Sequence, residues 1–152
     1  MSASPQHPTA GYFIGAAHHL PIRVYFEDTD FSGLVYHANY LRYMERARSD
    51  MLRVAGADQK AAYDSGEGVY AVAELSIKYL RPAHYDDALL VISRIDQLRA
   101  ASVAIHQRVM LGDQTLTDAR VTAAFLSREG RPKRQPKVWI EAFETIMKET
   151  HA

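Results

Sequence analysis

One segment of this chain carries helical periodicity for roughly five turns, and the long segments on either side of it alternate with period two. Within residues 38–55, Tyr40, Met44, Ala47, Met51 and Val54 fall at i, i+4, i+7, i+11 and i+14, and Leu41 and Leu52 widen that apolar stripe. Arg42, Arg46, Ser49, Asp50 and Arg53 supply a polar side, and Gly56 follows as a C-terminal cap. Before the helix, residues 19–27 set Leu20, Ile22, Val24 and Phe26 against Pro21, Arg23, Tyr25 and Glu27, the pattern of a strand. After it, a shorter helix fits residues 58–65, and residues 69–80, 88–95, 102–111 and 114–127 read as four strands in succession. Residues 139–148 close the chain as a short helix. Strand, long helix and then consecutive strands describe an α+β fold: an antiparallel sheet of about five strands around one central helix. Alternating βαβ units are excluded, and neither a G-x-G-x-x-G nor a Walker A sequence is present.

At 152 residues the chain suits one domain with a core of its own. Lys plus Arg (18) balance Asp plus Glu (18), so no net field draws it to nucleic acid or to an anionic membrane. It has no cysteine, which removes disulfides, thiolate zinc sites and cysteine nucleophiles and fits a cytoplasmic setting. No apolar run approaches the roughly 20 residues of a membrane span. Residues 1–18, rich in Ser, Pro, Gly and His, read as a flexible lead-in without signal-peptide character, leaving residues 19–148 as the domain.

The chemistry concentrates in residues 25–53, YFEDTDFSGLVYHANYLRYMERARSDMLR. Asp28 and Asp30 end the first strand, Gly33 marks a turn, and the loop runs through Tyr36 and His37 into the helix start. Free N–H groups and the macrodipole at such a start stabilise negative charge, including that on a carbonyl oxygen under attack. A carboxylate delivered there suits acyl hydrolysis. Asp30 can act as nucleophile or as general base, or simply accept loop N–H bonds. Asp28 fits a supporting or capping role. His37 offers either its backbone N–H or its imidazole. Glu45, with Arg46 and Arg48, suits ion pairs on the helix surface or at an interface. His18, His19, His84 and His106 show no metal-ligand spacing, and no G-x-S-x-G elbow is present.

Residues 24–48, VYFEDTDFSGLVYHANYLRYMERAR, resemble the acyl-CoA thioesterases of the hotdog fold, in the 4-hydroxybenzoyl-CoA thioesterase class and most like its bacterial Tol-Pal-associated members. Residues 77–95, IKYLRPAHYDDALLVISRI, resemble the second signature of that family. The resemblance implies a sheet wrapped around the helix, dimers joined edge to edge and often paired as tetramers, and acyl-CoA lying across a subunit interface. It places the catalytic carboxylate on Asp30 and the carbonyl-polarising amide on His37. Tyr36 and Tyr40 would shape the acyl pocket, although core packing accounts for them as well. Arg99 and Ser102 fall in the region of nucleotide contacts. There the chain reads Arg99-Ala100-Ala101 where some relatives carry consecutive basic residues. Arg128, Arg131, Lys133, Arg134 and Lys137 form an alternative phosphate patch or a solvated charge cluster.

The activity implied is hydrolysis of acyl-CoA to free acid and coenzyme A without a cofactor, coenzyme A being part of the substrate. A competing reading is a binding or scaffold protein of envelope phospholipid metabolism that holds acyl-CoA or acyl carrier protein with little turnover. A third is acyl dehydration on the same fold.

Overall fold

The helical period of the sequence begins where the long helix of the fold begins, at His37. A computed structural model describes residues 6–149; the remainder of the expected lead-in, residues 1–5, lies outside the described residues. Its elements in chain order are β1 (Tyr12–Ile14), β2 (Ala17–Arg23), α1 (His37–Val54), α2 (Gln59–Ser65), β3 (Val69–Tyr79), β4 (Ala88–Leu98), β5 (Ser102–Leu111), β6 (Gln114–Leu126) and α3 (Lys137–Met147). The strands make one six-stranded sheet in the order β1-β2-β4-β5-β6-β3, with every pairing antiparallel. This is the expected α+β hotdog architecture with one strand more than the sequence pattern indicates.

The extra strand corrects the flexible lead-in. Tyr12–Ile14 pairs with Ala17–Arg23 as a hairpin, and Asp50 of α1 accepts the Gly11 N–H at 2.8 Å. His18 on β2 reaches the same carboxylate oxygen at 2.7 Å, so helix and hairpin share one anchor. A second correction concerns residues 19–27. The strand stops at Arg23 because the Asp28 carboxylate accepts the Tyr25 N–H and closes a 3-10 turn over Phe26–Asp28. Phe26 therefore leaves the sheet and is 82% exposed.

Helix α1 packs its stripe onto the sheet. Tyr40, Tyr43, Met44 and Ala47 meet Val24, Leu89, Val91, Val109, Leu116 and Ala119, and Met51 and Leu52 meet Ile95, Ile105, Phe125 and the α3 residues Trp139 and Phe143. Burying a side chain such as Met44 contributes about 2 kcal/mol. The helix ends in a Schellman motif: Gly56 N–H donates to Arg53 and Ala57 N–H to Leu52, with Gly56 at φ +94°. One polar seam crosses this interface. Gln107 on β5, fully buried, donates to the Met44 carbonyl and to Ser93 Oγ and accepts from Arg48 at 2.9 Å. No described helix is long and apolar enough to cross a membrane.

Candidate active site

Asp30 sits on the loop between the 3-10 turn and α1, and local hydrogen bonds fix its geometry. Its Oδ1 accepts the Ser32 N–H at 2.8 Å and the Ser32 hydroxyl, its N–H donates to Leu34 at 2.9 Å, and its carbonyl accepts from Gly33 at 3.0 Å. This is an Asx turn closed by a glycine at φ +83°, a conformation that a residue with Cβ adopts only with strain. The carboxylate is exposed. The Ser32 hydroxyl and then the Ser32 amide hold its pKa below the usual carboxylate value. Asp30 is therefore ionised at neutral pH.

The loop is tied to the body of the fold by Val35, whose N–H donates to Ala83, and by a Leu34–His84 bridge. Asp28 has a different position from Asp30. Its carboxylate is used by Tyr25, and its carbonyl accepts both the Tyr36 N–H at 2.9 Å and the Asn39 side-chain amide at 2.8 Å. Asp28 thus sets where α1 begins, and Asn39, which the sequence reading missed, completes that anchor.

His37 is the first residue of α1, and no side chain caps the helix at Tyr36. Its N–H has no hydrogen-bond partner among the described residues, as the first turn of a helix leaves it. Its ring is exposed, 4.5 Å from that of Tyr36 and edge-on to Tyr79 at 6.2 Å between centroids. The loop thus carries an ionised carboxylate on a turn that leads into a helix N-terminus with a free donor, and the rings of Tyr36 and Tyr79 flank the His37 ring at that start.

The other expected site residues divide. Tyr40 does not line the surface: it is 3% exposed, and its hydroxyl accepts the Ala83 N–H at 2.9 Å, so it supports the site from the core. Arg99 and Ser102 lie at the β4–β5 hairpin, the far end of β4 from the Asp30 loop. β4 has 11 residues, so about 35 Å of strand separates them at full extension. Glu45 is exposed on α1 and makes no ion pair with Arg46 or Arg48 among the described residues. Arg48 turns inward to Gln107 instead. Ser32 was also missed, although Asp followed two residues later by Ser is a recognisable Asx-turn signal. No group of three or more His, Cys, Asp or Glu side chains converges as metal ligands among the described residues.

Residues 32–117 match the sequence profile of the thioesterase superfamily. The acyl-CoA thioesterase YbgC of Haemophilus influenzae is 38% identical over 104 residues, covering 68% of this chain and 76% of that protein. The acyl-CoA thioester hydrolase YbgC of Escherichia coli is 34% identical over 126 residues, covering 82% and 93%. Among solved structures, a probable thioesterase from Bartonella henselae superposes with a TM-score of 0.76 at 38% identity, covering 80% of this chain and all of that one.

Proposed function

The chain belongs to the thioesterase superfamily as an acyl-CoA thioester hydrolase, and on that premise we propose that Asp30 and the backbone N–H of His37 carry its chemistry. The observation behind this reading is an ionised carboxylate on a fixed turn that leads into an uncapped helix start. The thioester carbonyl oxygen would accept the His37 N–H and gain the macrodipole of α1 as negative charge develops. A donor of this kind is typically worth about 3 kcal/mol in the transition state. Asp30 either attacks the carbonyl carbon, giving a mixed anhydride that water opens, or takes a proton from the water that attacks. In both routes the C–S bond breaks, coenzyme A leaves as its thiolate and is protonated, and the acid is released. The lowered pKa of Asp30 keeps the carboxylate ionised at neutral pH, as both routes require.

The same reading includes a homodimer joined along β3. This strand is a sheet edge 11 residues long, with Val69 and Val72 exposed on it. An edge of that length and character favours pairing with another strand. Two copies related by a two-fold axis near Glu74 would set Tyr79 of one beside Val69 of the other. The Asp30 loop of each copy would then approach the Arg99 end of its partner, and acyl-CoA would lie across the junction. Pairing of two such dimers gives the tetramer.

Turnover of an acyl-CoA panel by the purified protein, beside Asp30→Asn, tests the assignment. Hydrolysis that persists unchanged in the variant would sink it. Tight acyl-CoA binding with negligible wild-type turnover would favour the scaffold reading.

A further inference from the structure

Phe31 is fully exposed, next in the chain to Asp30 on the loop that leads into α1. Its backbone is nonetheless fixed. The Gly33 N–H donates to the Asp30 carbonyl at 3.0 Å, which places Phe31 at the corner of a tight turn, and the Ser32 N–H donates to Asp30 Oδ1 at 2.8 Å. Phe26 and Tyr85, also exposed, meet edge-on at 6.5 Å between ring centroids and partly shield each other. No described ring shields Phe31 in that way. An aromatic side chain on a rigid turn suits the core of a protein contact, because little backbone entropy remains to be lost when it docks.

A cavity of matching character lies at the opposite end of the sheet edge. It spans about 460 Å³ between the end of α2, the start of β3 and the end of β6, lined by Tyr63, Gly66, Gly68, Val69, Ser127 and Arg128. Tyr63 and Val69 are exposed there. The two glycines leave no room for side chains of their own: a Cβ on Gly68 would lie 2.6 Å from the Phe125 ring, and one on Gly66 would lie 2.6 Å from the Arg128 guanidinium. Charge is complementary as well. Residues 24–41 hold Glu27, Asp28 and Asp30 with no Lys or Arg, whereas residues 127–137 beside the cavity hold Arg128, Arg131, Lys133, Arg134 and Lys137 against Glu129 alone. Asp64 at the rim is paired with Lys60 at 2.7 Å.

We propose that Phe31 of each subunit seats in this cavity of the other, so that the dimer joined along β3 completes each catalytic loop. The strand register supports the contact. Two-fold pairing about Glu74 sets Tyr79 of one copy beside Val69 of the other. Beyond Tyr79 the chain reaches Ala83 and His84, which hold Val35 and Leu34 of the Phe31 loop. Beyond Val69, in the same direction along the antiparallel pair, come Gly68, Gly66 and Tyr63. The contact rests on the dimer of the thioesterase reading and adds a seat for the loop that carries Asp30. Local bonds shape the turn, and the second copy fixes where it points. Phe31 is thus a positioning residue, and activity follows the dimer.

Sedimentation velocity and specific activity, each over a dilution series, compare wild type with Phe31→Ala. The dimer dissociation constant of the variant should rise at least tenfold. Its specific activity should fall on dilution in step with the dimer fraction and return toward that of wild type at high concentration. The chain has no cysteine, so Phe31→Cys combined with Tyr63→Cys reports the contact directly through a short bismaleimide. A covalent dimer should form from the double variant and from neither single variant. A dissociation constant within twofold of wild type, or no covalent dimer from the double variant, would overturn the proposal. Phe31-dependent sedimentation with phosphatidylcholine vesicles, at an unaltered dimer constant, would overturn it in favour of a lipid surface. A monomer at every concentration that still hydrolyses acyl-CoA removes this contact and the dimer and leaves the hydrolase assignment. A cross-linked dimer in which Asp30→Asn hydrolyses as fast as wild type keeps the contact and removes Asp30 from the chemistry.

Discussion

The Tyr79 hydroxyl donates to the His37 carbonyl at 2.9 Å, so the last residue of the edge strand holds the first residue of the central helix. The contact couples the surface proposed for dimerisation to the group proposed to bind the oxyanion. Tyr79 also sits edge-on to Tyr40, whose hydroxyl is fixed by Ala83, which extends the brace into the core.

Tyr79→Phe removes that hydrogen bond and keeps the ring. A lost bond of this kind costs about 1 kcal/mol. Stopped assays should show kcat falling several-fold with KM for acyl-CoA little altered, since the change acts on the helix start. A KM effect with normal kcat would place Tyr79 in ligand binding instead.

Asp30→Asn should leave the Asx turn in place, because the amide oxygen still accepts from Ser32. The melting temperature should therefore stay close to that of wild type. Loss of a positioned base or nucleophile commonly lowers the rate by about 10²–10⁴-fold, and a rate drop in that range is expected. In wild type, single-turnover hydrolysis in 18O-labelled water tests the nucleophilic route. Label in the enzyme carboxylate marks attack by Asp30 with water opening the anhydride at the Asp30 carbonyl; opening at the acyl carbon labels the acid product, as direct attack by water does, and is told apart by trapping the mixed anhydride with hydroxylamine.

Ser32→Ala should displace the acid limb of the pH–rate profile upward. Both Ser32 donors depress the Asp30 pKa below 3.8, so the carboxylate stays ionised further into acid than an ordinary one. Activity that needs the ionised form is present above the depressed pKa and is lost as pH falls through it. Removing the hydroxyl raises that point toward the ordinary value. An unmoved acid limb would separate the rate-controlling group from Asp30.

His18 makes the fold sensitive to acid. Burial lowers its pKa below 6.5, against the opposing pull of the Asp50 hydrogen bond and charge; its Nδ1 is buried without a partner, so a proton there would be unsatisfied. The unfolded chain takes up that proton near pH 6.5, whereas the native chain does so only lower. Stability is therefore full above 6.5 and declines as pH drops below it, until the native imidazole is protonated too. Melting temperatures between pH 7.5 and 5 should show this decline, and His18→Gln should flatten it.

Much of the fold was legible because the period of the apolar residues changes so sharply. Residues 38–55 and the structural His37–Val54 differ by one position at each end. The stripe was drawn too narrow: Tyr43, 1% exposed, lies off the aligned positions and is buried because the sheet covers more than one face of α1. β1 escaped notice because three residues among Gly and His give no alternation to count, and its pairing to β2 is a tertiary fact. At the site, the Asp-to-helix order could be read directly. The inward turn of Arg48 could not, although Gln107 carried a hint as a polar residue in the apolar row of β5. Nor could the distance from Asp30 to Arg99 be read, because it depends on the order of strands in the sheet.

The length of β4 has a consequence in genetic terms. The acid proposed to cut the thioester and the Arg99 hairpin stand at opposite ends of that strand, so each junction of the proposed dimer would draw one end from each copy. A subunit carrying Asp30→Asn and a subunit carrying Arg99→Gln should then each be defective as homodimers. Mixed, they form one junction with both lesions and one with neither. Two classes of defective allele of a single gene would then complement each other.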